Sequence, residues 1–179
     1  MANPLIDYLI ENAPGNICVD GVAELKLATS IDDFLAIYLK YIDFCLSENF
    51  PSNADLIKYG NDHLIANGIY IDTPANLLNK STAVLLGNSS GVAKYFGHPV
   101  GQIYMKDQSA LNLHCIDNTF LVIDLFGNAE LTVKASGNAK VLVNIYGKAK
   151  VFPTSLEKAS IKIVNKLKSS YLYGKSRRR

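Results

Sequence analysis

The residues most able to do chemistry are three histidines, three cysteines and the carboxylates around them. His63, His98 and His114 stand in no zinc spacing with Cys18, Cys45 or Cys115, and no HExxH run is present. The neighbouring pair His114-Cys115 could form a thiolate–imidazole nucleophile only if the two side chains met. On a strand, adjacent side chains leave opposite faces. Cys115 is therefore expected inside and His114 outside, as an ordinary buried thiol and a surface imidazole. Gly87-Asn88-Ser89-Ser90-Gly91 is rich in Gly and Ser, but it lacks the Lys-Ser/Thr ending and following helix of a phosphate loop. It reads as a loop between strands. The residues support no catalytic, metal or cofactor assignment, and the chain is expected to be no enzyme.

The elements that would position any such residues are set by a repeat. Written in tens from residue 109, the chain aligns without gaps through residue 163. One column holds Ser109, Thr119, Ala129, Ala139, Ala149 and Ala159. Two positions on come Leu111, Leu121, Leu131, Val141, Val151 and Ile161. Two further on come Leu113, Ile123, Val133, Val143, Pro153 and Ile163, then Cys115, Leu125, Ala135 and Ile145. Apolar residues alternate within each unit, so each unit is a strand with one buried face. Asp117, Gly127, Gly137, Gly147 and Glu157 hold the turn position, each followed by Asn or Lys. Glycine there supplies positive φ at little steric cost.

Matched columns favour a β-solenoid, in which like positions stack ~4.8 Å apart, over a hairpin meander, which sets unlike positions opposite each other. Ten residues are too few to enclose several aliphatic side chains, so a coil of two units, about 20 residues, is expected. Pro153 breaks the strand pattern at the fifth unit, and a proline fits best where its missing N–H is not needed by a neighbour. Val84 to Gly101 reads as further, degenerate coils. Two columns face outward. The first runs His114, Asp124, Lys134, Asn144, Thr154 and reads as a solvated polar face. Stacking of successive units would set His114 beside Asp124, whereas two-unit coils would set it beside Lys134. The second runs Ile116, Phe126, Ser136, Tyr146, Leu156. If exposed together, Phe126 and Tyr146 would anchor an apolar interaction stripe.

Upstream the pattern is helical. Pro4 to Asn12 is a short amphipathic helix, and residues 17 to 28 read as extended around an Asp20-Gly21 turn. Ser30 and Asp33 form a capping pattern that opens a helix from Ile31 to Glu48, with apolar positions at Phe34, Ile37, Tyr38, Tyr41, Ile42 and Cys45. Pro51 ends it. Ser52 and Asp55 repeat the cap for a second helix to about Ala66, and Asn67-Gly68 supplies its left-handed ending. The expected architecture is α+β: a helical cap domain over residues 1–75, a β-solenoid with ten-residue strand-turn units over 80–165, and a basic tail over 166–179.

Charge follows this division. Residues 158 to 179 hold eight Lys or Arg and no acid, whereas residues 1 to 157 hold ten basic and sixteen acidic residues. In the tail, Lys166, Lys168, Lys175, Arg177, Arg178 and Arg179 are interleaved with Tyr171 and Tyr173. Cations can neutralise phosphates while aromatics stack on bases, so these are candidate contacts to nucleic acid or to an acidic partner. No apolar run approaches the ~20 residues of a membrane helix. Met1 to Gly15 lacks the basic start of a secretory signal, and three widely spaced cysteines suit reduced thiols. A location in the cytoplasm of a bacterial host cell, or in a virion, is expected.

The stretch DFLAIYLKYIDFCLSENFPSN, then NGIYID, then the Gly-Asn-Ala ladders, resembles uncharacterised proteins of gut bacteria and their phages, and the ladder alone is similar to small β-solenoid scaffold modules. That resemblance implies a phage setting and no catalytic residue. The leading expectation is a non-enzymatic structural or interaction protein with a protein partner, itself included: a virion component, or an accessory factor that blocks a host complex. The competing expectations are a nucleic-acid-associated protein acting through its tail and an enzyme using the face around His114 and Asp124.

Overall fold

The computed structural model describes residues 4–15 and 19–166. The chain divides into two compact units, Met1–Asn67 and Gly68–Arg179. The first is helical: α1 (Pro4–Glu11), α2 (Val19–Leu27), α3 (Ile31–Lys40), α4 (Ile42–Glu48), α5 (Asn53–Gly60) and α6 (His63–Ala66). Leu5, Leu9, Phe34, Leu35, Tyr38, Leu46 and Leu56 are buried in it. Both expected capping boxes form. The Ser30 hydroxyl accepts from the Asp33 N–H while the Asp33 carboxylate accepts from the Ser30 N–H, and Ser52 and Asp55 repeat the exchange.

Three local expectations need correction. Residues 19–27 are a helix, not an extended pair around a turn. Asp20 sits in the first turn, where a carboxylate suits the helix dipole, and Ala23 to Leu27 are strong helix formers whose Leu25 is buried. The segment 31–48 is two helices, because Tyr41 leaves helical geometry at φ −107° and ψ 26°. Its hydroxyl donates to Glu24 of α2 at 2.9 Å, beside the Lys40 ammonium at 2.6 Å. The helix expected to reach Ala66 ends at Gly60, against which the Leu64 side chain packs too closely for a Cβ.

The second unit is a two-sheet β-solenoid, as the columns implied. Strands β1 (Ile69–Ile71), β3 (Thr82–Leu86), β5 (Val100–Met105), β7 (Phe120–Gly127), β9 (Lys140–Gly147) and β11 (Ser160–Lys166) form a six-stranded parallel sheet in that order. Strands β2 (Pro74–Leu78), β4 (Ser90–Tyr95), β6 (Ala110–Cys115), β8 (Glu130–Ala135) and β10 (Lys150–Ser155) form a five-stranded one. From β4 onward the register is twenty residues: Leu111 faces Leu131, and Leu121 faces Val141. The first coil is shorter, with Pro74 facing Ser90. The inward columns fill the space between the sheets. Leu113, Cys115, Leu121, Ile123, Leu125, Leu131, Val133 and Val143 are all buried, each aliphatic side chain contributing roughly 1.5–3 kcal/mol.

The corners are held by backbone and by carboxylates. Even-numbered N–H groups donate back one coil, as from Asn118 to Gly97 O at 2.9 Å and from Asn138 to Asp117 O at 2.8 Å. The turn residue is left-handed in every coil, whether Gly137 (φ +68°) or Asp117 (φ +61°). Where it is acidic, its carboxylate reaches the preceding coil's glycine: Gly87 N–H donates to Asp107, Gly97 N–H to Asp117 and Gly137 N–H to Glu157. An acid there offsets some left-handed strain with a charge-assisted bond. Pro153 obeys the same parity. Lys150 and Leu156 donate back to Ala129 and Ala135, so the odd-numbered Pro153 sits where an N–H would point off the end.

Two outcomes follow. In Gly91→Ala the new Cβ would run into the Ala75 backbone carbonyl, whereas at Gly97 it meets nothing within 4 Å. Urea unfolding should show a loss of about 3 kcal/mol or more for Gly91→Ala and about 1 kcal/mol for Gly97→Ala, which bears only the left-handed cost. Equal losses would contradict the close approach. In the helical unit, hydrogen bonds from Lys40 hold Glu24 below the usual carboxylate range, those from His63 hold Asp32 down, and those from Thr29 and Ser30 hold Asp33 down. Folded values below unfolded ones stabilise fully above about pH 4. The urea midpoint followed by helical circular dichroism should therefore fall as acid takes the pH through the lowered values, and an unchanged midpoint down to about pH 2 would refute that linkage.

Candidate interaction surfaces

The interior excludes the nucleophile. Cys115 is fully buried on β6, and burial pushes its thiol up to about 12. Tyr95 beside it is raised by burial first and by Cys115 second, and its hydroxyl donates to the Lys80 carbonyl at 2.8 Å. Cys45 is also buried and in no disulfide, and Cys18 lies outside the described residues. Among the described residues no cluster of three His, Cys, Asp or Glu could hold a metal, and no helix is long and apolar enough to cross a membrane.

The first outward column divides between the two sheets. His114 lies opposite Lys134 and Lys94 on the five-stranded sheet, and all three are exposed. Asp124 lies on β7 of the other sheet, so it does not neighbour His114. Nor is it solvated, as alternation alone implied: it is 6% exposed. Asn144 Nδ2 donates to it at 2.7 Å and Gln102 Nε2 at 3.2 Å. These amides replace the water that a buried carboxylate loses.

The second outward column divides too. Phe126 and Tyr146 stack at one edge of the solenoid, with ring centroids 4.8 Å apart and planes 8° from parallel. Phe126 is 8% exposed, so this pair belongs more to the fold than to an open stripe. Ile116, Ser136 and Leu156 lie at the opposite edge, because every strand runs from one corner to the other. No family model, curated protein or solved structure matches the chain.

A group of open apolar side chains lies at that opposite edge, and the sequence columns did not single it out. Phe96 and Ile116 flank one side of the corner on neighbouring coils, at 47% and 43% exposure; Val100 and Phe120 flank the other, at 68% and 42%. Val100 faces Phe120 in register. Backbone bonds from Ile116 to Tyr95, Asn118 to Gly97 and Phe120 to Pro99, each 2.9 Å, hold the four side chains on a fixed frame. The available signal was the corner position itself: Phe96 and Val100 stand two before and two after His98, where strand burial ends. Of the expected tail contacts, Lys166 ends β11, exposed and opposite Tyr146. Lys168, Tyr171, Tyr173, Lys175, Arg177, Arg178 and Arg179 lie outside the described residues.

A raised pKa and full burial together make Cys115 inert. Iodoacetamide at pH 8 followed by peptide mapping should label it only in denaturant. Rapid labelling of the native protein would restore the nucleophile reading.

Proposed function

We propose that this chain is a non-enzymatic macromolecular-interaction protein whose solenoid presents a rigid binding corner to a protein partner. The observation that carries the reading is the group Phe96, Val100, Ile116 and Phe120, four large apolar side chains open to solvent on adjacent coils. Scattered single apolar residues on a surface are ordinary, but two pairs on neighbouring coils, held on either side of one corner by the backbone ladder, are an interaction feature. Little conformational entropy is lost when such a frame binds, because the ladder has already ordered it. The interior supports the same view, since its reactive groups are spent on packing. The setting that fits the resemblance is a virion component or an accessory factor that blocks a host complex.

The test places a photo-crosslinking phenylalanine analogue at Phe120, or at exposed Thr132 on the outer five-stranded face, in the native cell. A discrete protein adduct is expected from position 120 and none from 132. Adducts at neither position, with full biological effect retained in Phe96→Ser/Phe120→Ser, would overturn the reading. An adduct to nucleic acid alone would overturn a protein partner at this corner.

A further inference from the structure

We propose that the C-terminal end of the solenoid docks the acidic helical unit of a second copy of this chain. Among the described residues, no strand pairs with the outer side of β10 or of β11. Their inward columns open at this end. Leu131 and Val141 are buried but Val151 and Ile161 only partly so, and Val143 is buried while Ile163 is 38% exposed. The end therefore joins unpaired backbone groups to apolar interior, a combination that recruits another chain unless something selects against it.

Charge does the selecting. Residues 130 to 166 hold seven lysines and two carboxylates, Glu130 and Glu157. Both carboxylates are engaged, Glu130 with Lys150 at 2.8 Å and Glu157 with the Gly137 N–H. Lys150, Lys158, Lys162 and Lys166 are exposed around the last coil. Two such ends cannot meet, because each would set its lysines against the other's. That disfavours symmetric end-to-end stacking and favours an acidic surface as the complement. The helical unit of this chain carries the matching sign. Residues 1–67 hold ten carboxylates against three lysines, and Glu11, Asp20 and Asp62 are exposed there. An end on one copy meeting a different surface on the next is a heterologous contact, which propagates when its rotation does not close.

Sedimentation equilibrium of the full chain tests it, from about 1 µM to about 300 µM and at about 50 mM and 500 mM salt. The mass should rise with concentration at low salt and return toward the monomer at high salt. Lys158→Glu/Lys162→Glu should weaken association about tenfold or more, as should Glu11→Lys/Asp20→Lys/Asp62→Lys. Mixing the two variants should restore it, because the reversed end then meets the reversed helical unit. A constant monomer mass throughout would overturn the proposal. So would association unchanged in the lysine variant, or weakened association that mixing does not restore.

Discussion

The parallel hydrogen-bond ladder between successive coils is the constraint on which the rest of the solenoid depends. A register of twenty residues brings each position against its own equivalent, so whatever a column does once it must do in every coil. Inward columns must be apolar and of compatible size, or the stack leaves voids. Corner columns must tolerate a left-handed residue. That is why glycine alternates there with acids able to bond the preceding coil. The same ladder turns an outward column into a row of side chains at fixed spacing, as with Phe126 on Tyr146 and Asn144 on Asp124.

A ladder of this kind has ends, and its ends differ from its sides. On the sides, backbone polarity is satisfied within the sheet, and specificity falls to corner and face residues. At the C-terminal end, strand edges that pair with nothing among the described residues and a thinning core coincide with a concentration of lysine and with Pro153. Lysine and proline are common means of blunting an edge. Here they also bias what the edge will accept, since a cationic rim rejects its like and tolerates an acidic surface.

Much of this was legible from residue types. The ten-residue columns, the parallel stacking, the two-unit coil and the outward direction of His114 follow from alternation and repetition, which are local and periodic. Both capping boxes were legible because they need only four residues. The helical segments were less so. Asp20-Gly21 has turn chemistry, yet the residues after it carry the helix. The break falls at Tyr41, whose hydroxyl bonds Glu24 seventeen residues away.

The sequence by itself determined the strand pattern, the inward core, the left-handed corners and the separation of an acidic first part from a basic end. These properties reside in spacing and composition, and no neighbour in space is needed to read them. Only the tertiary structure decided which columns share a sheet. It moved Asp124 away from His114 and into a buried amide ladder, closed Phe126 against Tyr146, and gathered Phe96, Val100, Ile116 and Phe120 on one open corner. The physical reason is that alternation tells which way a side chain leaves its own strand. What it then meets is set by coils twenty residues before and after, and by the corner at which the chain turns.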